Sequence, residues 1–250
     1  DSRYCSGVLT YQPEKKDHKM LDDDFRFYSL EEAHVAKGAV VVIDVLRAFT
    51  TAAYAFNAGA EKIYPVSSVK QAFDLKAQLR DAAIMGEVDG RKPENFDYSN
   101  SPAEIARLDL SGKSLIQRTS AGTQGIVKAR NAEILLAASF VVASATAKFL
   151  QQMQPSQVSF VITGESLGRD GDEDLACAEY IQALICEEKP DPGRYTSRVL
   201  SSSVGRAFQS GGLDYLSMID IQLSLAVNRF DVYLPVTLEN DRLVINQLAL

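Results

Sequence analysis

Short apolar runs alternate with stretches of helical spacing along this chain. Residues 39–45, AVVVIDV, form a near-continuous β-branched run after Gly38, as in a parallel strand buried on both faces. Helix-compatible spacing follows over 47–60 and stops at Gly59. Residues 62–66 read as a short strand. Ser67 and Ser68 then precede a helix in which Val69, Phe73, Ala77 and Leu79 line one face. The alternation continues with strands at 83–85, 115–117, 134–138 and 158–163, and helices at 123–130, 143–151 and 173–187. Such repetition predicts an α/β fold, a three-layer α/β/α arrangement with a largely parallel sheet and room for two intertwined subdomains.

Past Pro190-Asp191-Pro192 the pattern changes. Residues 194–209 and 213–228 read as two helices separated by Gly211-Gly212, and the tail reads as a hairpin turning at Asn240-Asp241. One unit is expected, with a core over about 39–188 and C-terminal helices and hairpin over 194–250. The first 38 residues carry no firm pattern; Leu21-Asp22-Asp23-Asp24 reads there as a solvated loop.

Composition narrows the chemistry. A formal net charge of −7 argues against a broad nucleic-acid surface, yet a few local arginines suffice to hold a phosphate. Cys5, Cys177 and Cys186 form no zinc-type spacing, and Cys177 reads as a buried helix residue. With only His18 and His34 present, a multi-histidine metal site is excluded, and any metal must be held mainly by oxygen, which favours Mg²⁺. No apolar run is long enough to span a membrane and the first residues lack the apolar core of a signal peptide, so a cytoplasmic protein is expected.

Ligands of open α/β sheets sit at the carboxyl ends of the strands, and here four loops fall at such ends. In Asp44-Val45-Leu46-Arg47 an acid ends a buried strand. Arg47 is suited to fork onto phosphate oxygens, and Thr50 and Thr51 occupy the first helical turn; the alternative is an Asp–Arg salt bridge with threonine packing. Glu87 ends the strand at 83–85, followed by Asp97, Asn100 and Ser101, of which Ser101 before Pro102 is in any case a helix cap. Arg118-Thr119-Ser120-Ala121-Gly122-Thr123 is a Ser/Thr/Gly run able to wrap main-chain N–H groups around a phosphate, without the lysine of a P-loop. The fourth loop contains Arg169, placed to close over an anion, and three acids at 172–174. Asp174 is the best ligand candidate among them, although helix-dipole stabilisation explains two.

In this order the segments IDVLRAFTT, GEVDGRKPENFDYSNSP, RTSAGTQG and GESLGRDGDEDLACAEY resemble the 2-phosphosulfolactate phosphatase (ComB) family, over about residues 39–180. The chain departs from the family pattern at Asn95 and Ser99, where glycines are expected, and at Ala121 and Gln124, where asparagine and arginine are expected. The resemblance implies a Mg²⁺-dependent phosphomonoester hydrolase of coenzyme M biosynthesis acting on a sulfonated phosphoester, with a family-specific α/β fold and a homodimer.

The expected mechanism places Mg²⁺ on some of Asp44, Glu87 and Asp174, with Arg47 and Arg118 neutralising the phosphoryl charge. Thr50, Thr51, Asn100, Ser101, Thr119, Ser120, Gly122, Thr123 and Arg169 are expected to bind the small phosphorylated anion, and a water held by the metal or an acid such as Asp97 supplies the attack. An aspartyl-phosphate route through Asp44 is less favoured, because Leu46 stands where a D-x-D motif has its second acid. Two alternatives are a phosphatase for another small acid or sugar phosphate and a phosphoester-binding protein without turnover.

Overall fold

The computed structural model describes residues 22–165, 169–211 and 217–250. Its frame is a ten-stranded sheet in the order β1-β8-β2-β7-β9-β10-β3-β6-β4-β5. The first parallel group is β1 (Phe25–Ser29), β8 (Val158–Ile162), β2 (Ala39–Ile43) and β7 (Ile134–Ala138). The second is β3 (Lys62–Pro65), β6 (Ser114–Arg118), β4 (Ala83–Gly86) and β5 (Tyr98–Ser99). The chain lays down β1 and β2, crosses to build the second group, and returns for β7 and β8.

All five residues of β2 are buried, so both its faces are covered, as its β-branched run predicts. The helices that follow the strands are α1 (Ala48–Asn57), α2 (Val69–Lys76), α3 (Pro102–Ile105), α4 (Gly122–Lys128), α5 (Ala143–Met153) and α6 (Asp172–Ile185). The α/β architecture is therefore the one expected, with details that differ.

The terminal hairpin, β9 (Leu234–Glu239) and β10 (Arg242–Ile245), turns at Asn240 and Asp241, whose φ values of 48° and 62° suit left-handed turn residues. It does not decorate an edge. It is inserted antiparallel between β7 and β3 and joins the two parallel groups into one sheet. An edge strand, β1, also stands in the stretch that lacked a pattern. Among the described residues no strand neighbours its outer edge, and its side chains bury unevenly, which blurs the two-residue period. Of the acidic run before it, Asp22–Asp24 form a short 3₁₀ turn, while Leu21 lies outside the described residues.

The helix expected over 194–209 is two helices, α7 (Pro192–Ser201) and α8 (Ser203–Gln209). Ser202 breaks it: its hydroxyl accepts from Gly205 N at 3.0 Å and donates to Val199 O at 3.0 Å, ending one helix and capping the next. Replacing Ser202 with alanine is expected to lower unfolding stability by about 1 kcal/mol, measured by denaturant titration; an unchanged midpoint would show that the cap does not hold α8. Of the helix expected over 213–228, residues 213–216 lie outside the described residues, and α9 (Met218–Ser224) ends before 228: Leu225 caps it and Asn228 takes a left-handed φ of 56°.

Candidate functional site

Three strand ends, β2, β4 and β6, meet α8 around a cavity of about 350 Å³. The strand-end loops contribute Asp44, Arg47, Glu87, Asp89, Ser120 and Ala121, and Asn100, Arg169 and Ser203 add further polar lining. Val204, Ala207 and Phe208 of α8, with Leu46, supply apolar surface.

Asp44 is placed by the end of β2 and held by the start of α1, whose Ala48 N donates to its Oδ1 at 2.9 Å. Gly122 is required beside it: a Cβ there would lie 2.6 Å from Asp44 Oδ2. Burial, offset by the Ala48 and Gly122 amides and the Arg169 charge and reinforced by the charge of Glu87, pushes the Asp44 carboxyl up to about 6. Glu87 is held as firmly. Its Oε1 accepts from Ser120 N at 2.5 Å and its Oε2 from Gly90 N at 2.6 Å and Ser120 Oγ at 3.0 Å. It follows Gly86, whose φ of +141° and approach to Arg118 O leave no room for a side chain; a Cβ would stand 1.9 Å from that oxygen.

Arg47, the residue before α1, lines the cavity and is buried. Its Nη1 donates to Asp220 Oδ2 at 2.8 Å, and its guanidinium lies 5.4 Å from the centre of the Phe208 ring. Asp220 is fully buried on α9 and also accepts from Ser101 Oγ at 2.7 Å and Ala103 N at 3.0 Å. The Asp–Arg bridge weighed in the sequence therefore exists, but its acid is Asp220, 173 positions from Arg47. Asp220 and Phe208 carry no motif; an acid at the third position of a helix that follows Ser217 was the sole local sign of Asp220.

Several expected site residues turn away from the cavity. Thr50 donates to Val45 O at 2.9 Å. Thr51 is buried, with its hydroxyl lacking a hydrogen-bond partner, and does not line the cavity. Ser101 caps α3 through Glu104 N and donates to Asp220. Thr119 and Thr123 cap one another, Thr119 N donating to Thr123 Oγ1 at 2.9 Å and Thr123 N to Thr119 Oγ1 at 3.0 Å. Gln124 lies with them, donating to Ser67 O and Thr119 O, so the position of the missing arginine does not face the cavity. Arg118 donates to Glu87 O at 2.7 Å and braces that loop from outside the lining.

Asp97 stands apart, accepting from Lys76 Nζ at 2.6 Å and Ile84 N at 2.7 Å; despite partial burial, these partners hold its carboxyl below the usual range. Asp174 is also outside the lining. It accepts from Val45 N at 2.8 Å and Gly164 N at 2.7 Å, tying the ends of β2 and β8 together, and burial beside Glu173 and Asp44 pushes its carboxyl well up. The expected trio of Asp44, Glu87 and Asp174 is thus not gathered in the cavity, and among the described residues no three His, Cys, Asp or Glu side chains form a group able to hold a metal.

The remaining oxygens do suit a hard cation. Asp44 and Glu87 share the cavity with Asn100, whose buried Oδ1 lacks a hydrogen-bond partner. Mg²⁺ usually takes one or two carboxylates and completes its shell with water and substrate phosphate, so this donor set fits it without Asp174.

A family model described as 2-phosphosulpholactate phosphatase matches residues 26–207. A protein of Carboxydothermus hydrogenoformans named "Probable 2-phosphosulfolactate phosphatase" is 38% identical over 237 residues, 91% of this chain and 98% of that protein. Proteins with the same name are 39% identical over 145 residues in Bacillus subtilis, covering 58% of this chain and 63% of the relative, and 35% identical over 159 residues in Thermus thermophilus, covering 62% and 65%.

Proposed function

Because this chain belongs to the 2-phosphosulpholactate phosphatase family, we propose that it is a phosphoric monoester hydrolase that uses Mg²⁺ to release phosphate from a small ester in the Asp44–Glu87 cavity. The observation that carries this reading is the meeting of two buried carboxylates, an Asn100 oxygen without a partner and two arginines in one opening at the strand ends. The relatives' printed name points to 2-phosphosulfolactate, cleaved to sulfolactate and phosphate, as the first ester to try, and with it to a step of coenzyme M biosynthesis. A homodimer in the cytoplasm belongs to the same reading.

When bound, Mg²⁺ would draw charge from the phosphoryl oxygens, and Asp44, Glu87 and Asn100 would hold it. The chain supplies the rest. Arg47, kept in place by Asp220 and Phe208, offers its guanidinium to the phosphate. Arg169 adds a second positive charge near Asp44. The bonds from Ser120 and Gly90 to Glu87 fix the loop geometry before substrate arrives, which removes reorganisation from the reaction.

Colorimetric phosphate release from 2-phosphosulfolactate with Mg²⁺ and with EDTA tests the proposal. Release that stops in EDTA and returns with added Mg²⁺ is expected; release unaffected by EDTA would remove the metal from the account. The pH dependence has a definite sign. Asp44 is protonated below about 6 and then cannot hold a cation. At limiting Mg²⁺ the rate should therefore fall as pH drops through about 6, and saturating Mg²⁺ should move that limb to lower pH. A limb that ignores Mg²⁺ would contradict this role for Asp44.

A further inference from the structure

Arg169 lines the cavity from the segment that leads into α6, and its charge acts on Asp44. A long cationic side chain holds an anion well only where its backbone is fixed, because ordering a loose segment offsets part of the gain. The residues that follow Arg169 are fastened one after another. Asp170 Oδ2 accepts from Ser203 N at 3.0 Å, and its Oδ1 accepts from Ser203 Oγ at 3.1 Å. Ser203 is the first residue of α8 and itself lines the cavity. Gly171 turns the chain with a φ of +64°, and a Cβ there would stand 2.5 Å from Glu165 N. Asp172 Oδ1 then accepts from Arg198 Nε of α7 at 3.1 Å. The two acids differ in what they fasten. Asp172 is the first residue of α6 and ties that helix to α7, whereas Asp170 precedes α6, adjoins Arg169 and grips the helix that walls the cavity.

Resting on the phosphatase reading above, we propose that Asp170 is a positioning residue for substrate: its clasp on Ser203 holds Arg169 at the cavity, where the guanidinium takes an anionic group of the ester. Arg47 and Arg169 are the two cations of the described lining, so a misplaced Arg169 costs an anionic ester one of its two positive partners. The clasp has a signature that charge alone does not share. Asp170 is itself an acid, and on electrostatics its removal should strengthen anion binding. If it acts by holding Arg169, its removal weakens anion binding instead.

The test measures kcat and KM for 2-phosphosulfolactate, and the inhibition constant of inorganic phosphate, with the full chain and Mg²⁺. Asp170→Ala, Arg169→Ala and the double variant are compared with the unaltered protein, and near-ultraviolet circular dichroism checks that each is folded. Asp170→Ala is expected to raise KM and the phosphate inhibition constant about tenfold, with kcat changed by less than about twofold. The double variant should bind no more weakly than Arg169→Ala, because a residue that acts through another adds nothing once that one is gone. Asp170→Asn, which keeps an oxygen to accept from Ser203 N, should lose less affinity than Asp170→Ala. Three results would overturn the proposal while leaving the phosphatase reading intact: phosphate binding unchanged or tighter in Asp170→Ala, a loss that adds in full to that of Arg169→Ala, or an Asp170→Asn protein as weak as Asp170→Ala. No release from this ester or from other phosphomonoesters by the folded, unaltered protein would remove the phosphatase reading and this inference with it.

Discussion

Asp220→Ala is expected to lower the thermal midpoint by roughly 10 °C, the equivalent of about 3–5 kcal/mol in a chain of this size. The reason is what the substitution leaves behind. Arg47 and Asp220 are both almost wholly buried, with side-chain exposures of 5% and 1%. Removing the acid strands a guanidinium in a poorly solvated site, and it also takes an acceptor from Ser101 Oγ and Ala103 N at the start of α3. The matched variant, Arg47→Met with Asp220→Leu, removes both charges and should recover a large part of the loss, because apolar pairs of similar volume often replace buried ion pairs at little cost. Differential scanning calorimetry reads both. A midpoint within about 2 °C of the unaltered protein for Asp220→Ala would mean that the pair is solvated and contributes as little as a surface bridge.

Replacement of Asp44 by asparagine should reduce turnover on the order of a thousandfold with the fold retained. Asp44 Oδ1 accepts from Ala48 N, and its other oxygen lies against Gly122. Asparagine keeps the size but removes the charge on which a cation and the balance of Arg169 depend. If Asp44 holds the metal as proposed, the loss should persist at high Mg²⁺, since the substitution removes a ligand rather than weakening one. Steady-state phosphate release together with circular dichroism separates this from unfolding. Full turnover in a folded Asp44→Asn protein would show that the cavity's chemistry is organised around another group.

Residues that act through their own short segment were legible in the sequence. The buried run before Asp44 announced both a central strand and the acid at its end, and β4 did the same for Glu87. What escaped depends on contacts across the chain. Arg47 could be read as a phosphate fork or as half of a salt bridge, but nothing near it in sequence names Asp220 as its partner. The Thr119–Thr123 run has the composition of an anion loop, yet its hydroxyls close on their own backbone. Asp174 occupies the same helical turn that a ligand would, and its oxygens are taken by the amides of Val45 and Gly164. Side-chain type signals capacity for hydrogen bonding, while the direction in which it is used depends on tertiary packing. The hairpin shows the same limit: its turn was written locally by Asn240-Asp241, but its place between β7 and β3 is set by which strands have an open edge.

The most direct test of the central claim, that phosphoester hydrolysis takes place at the Asp44–Glu87 cavity, is phosphate release measured side by side for Asp44→Asn and Asp97→Asn with saturating Mg²⁺. Asp97 shares the acid chemistry but lies outside the cavity, paired with Lys76. The account predicts near-complete loss in the first variant and turnover within about twofold of the unaltered protein in the second. Loss at Asp97 with activity retained at Asp44 would contradict it and move the chemistry to the far side of β4.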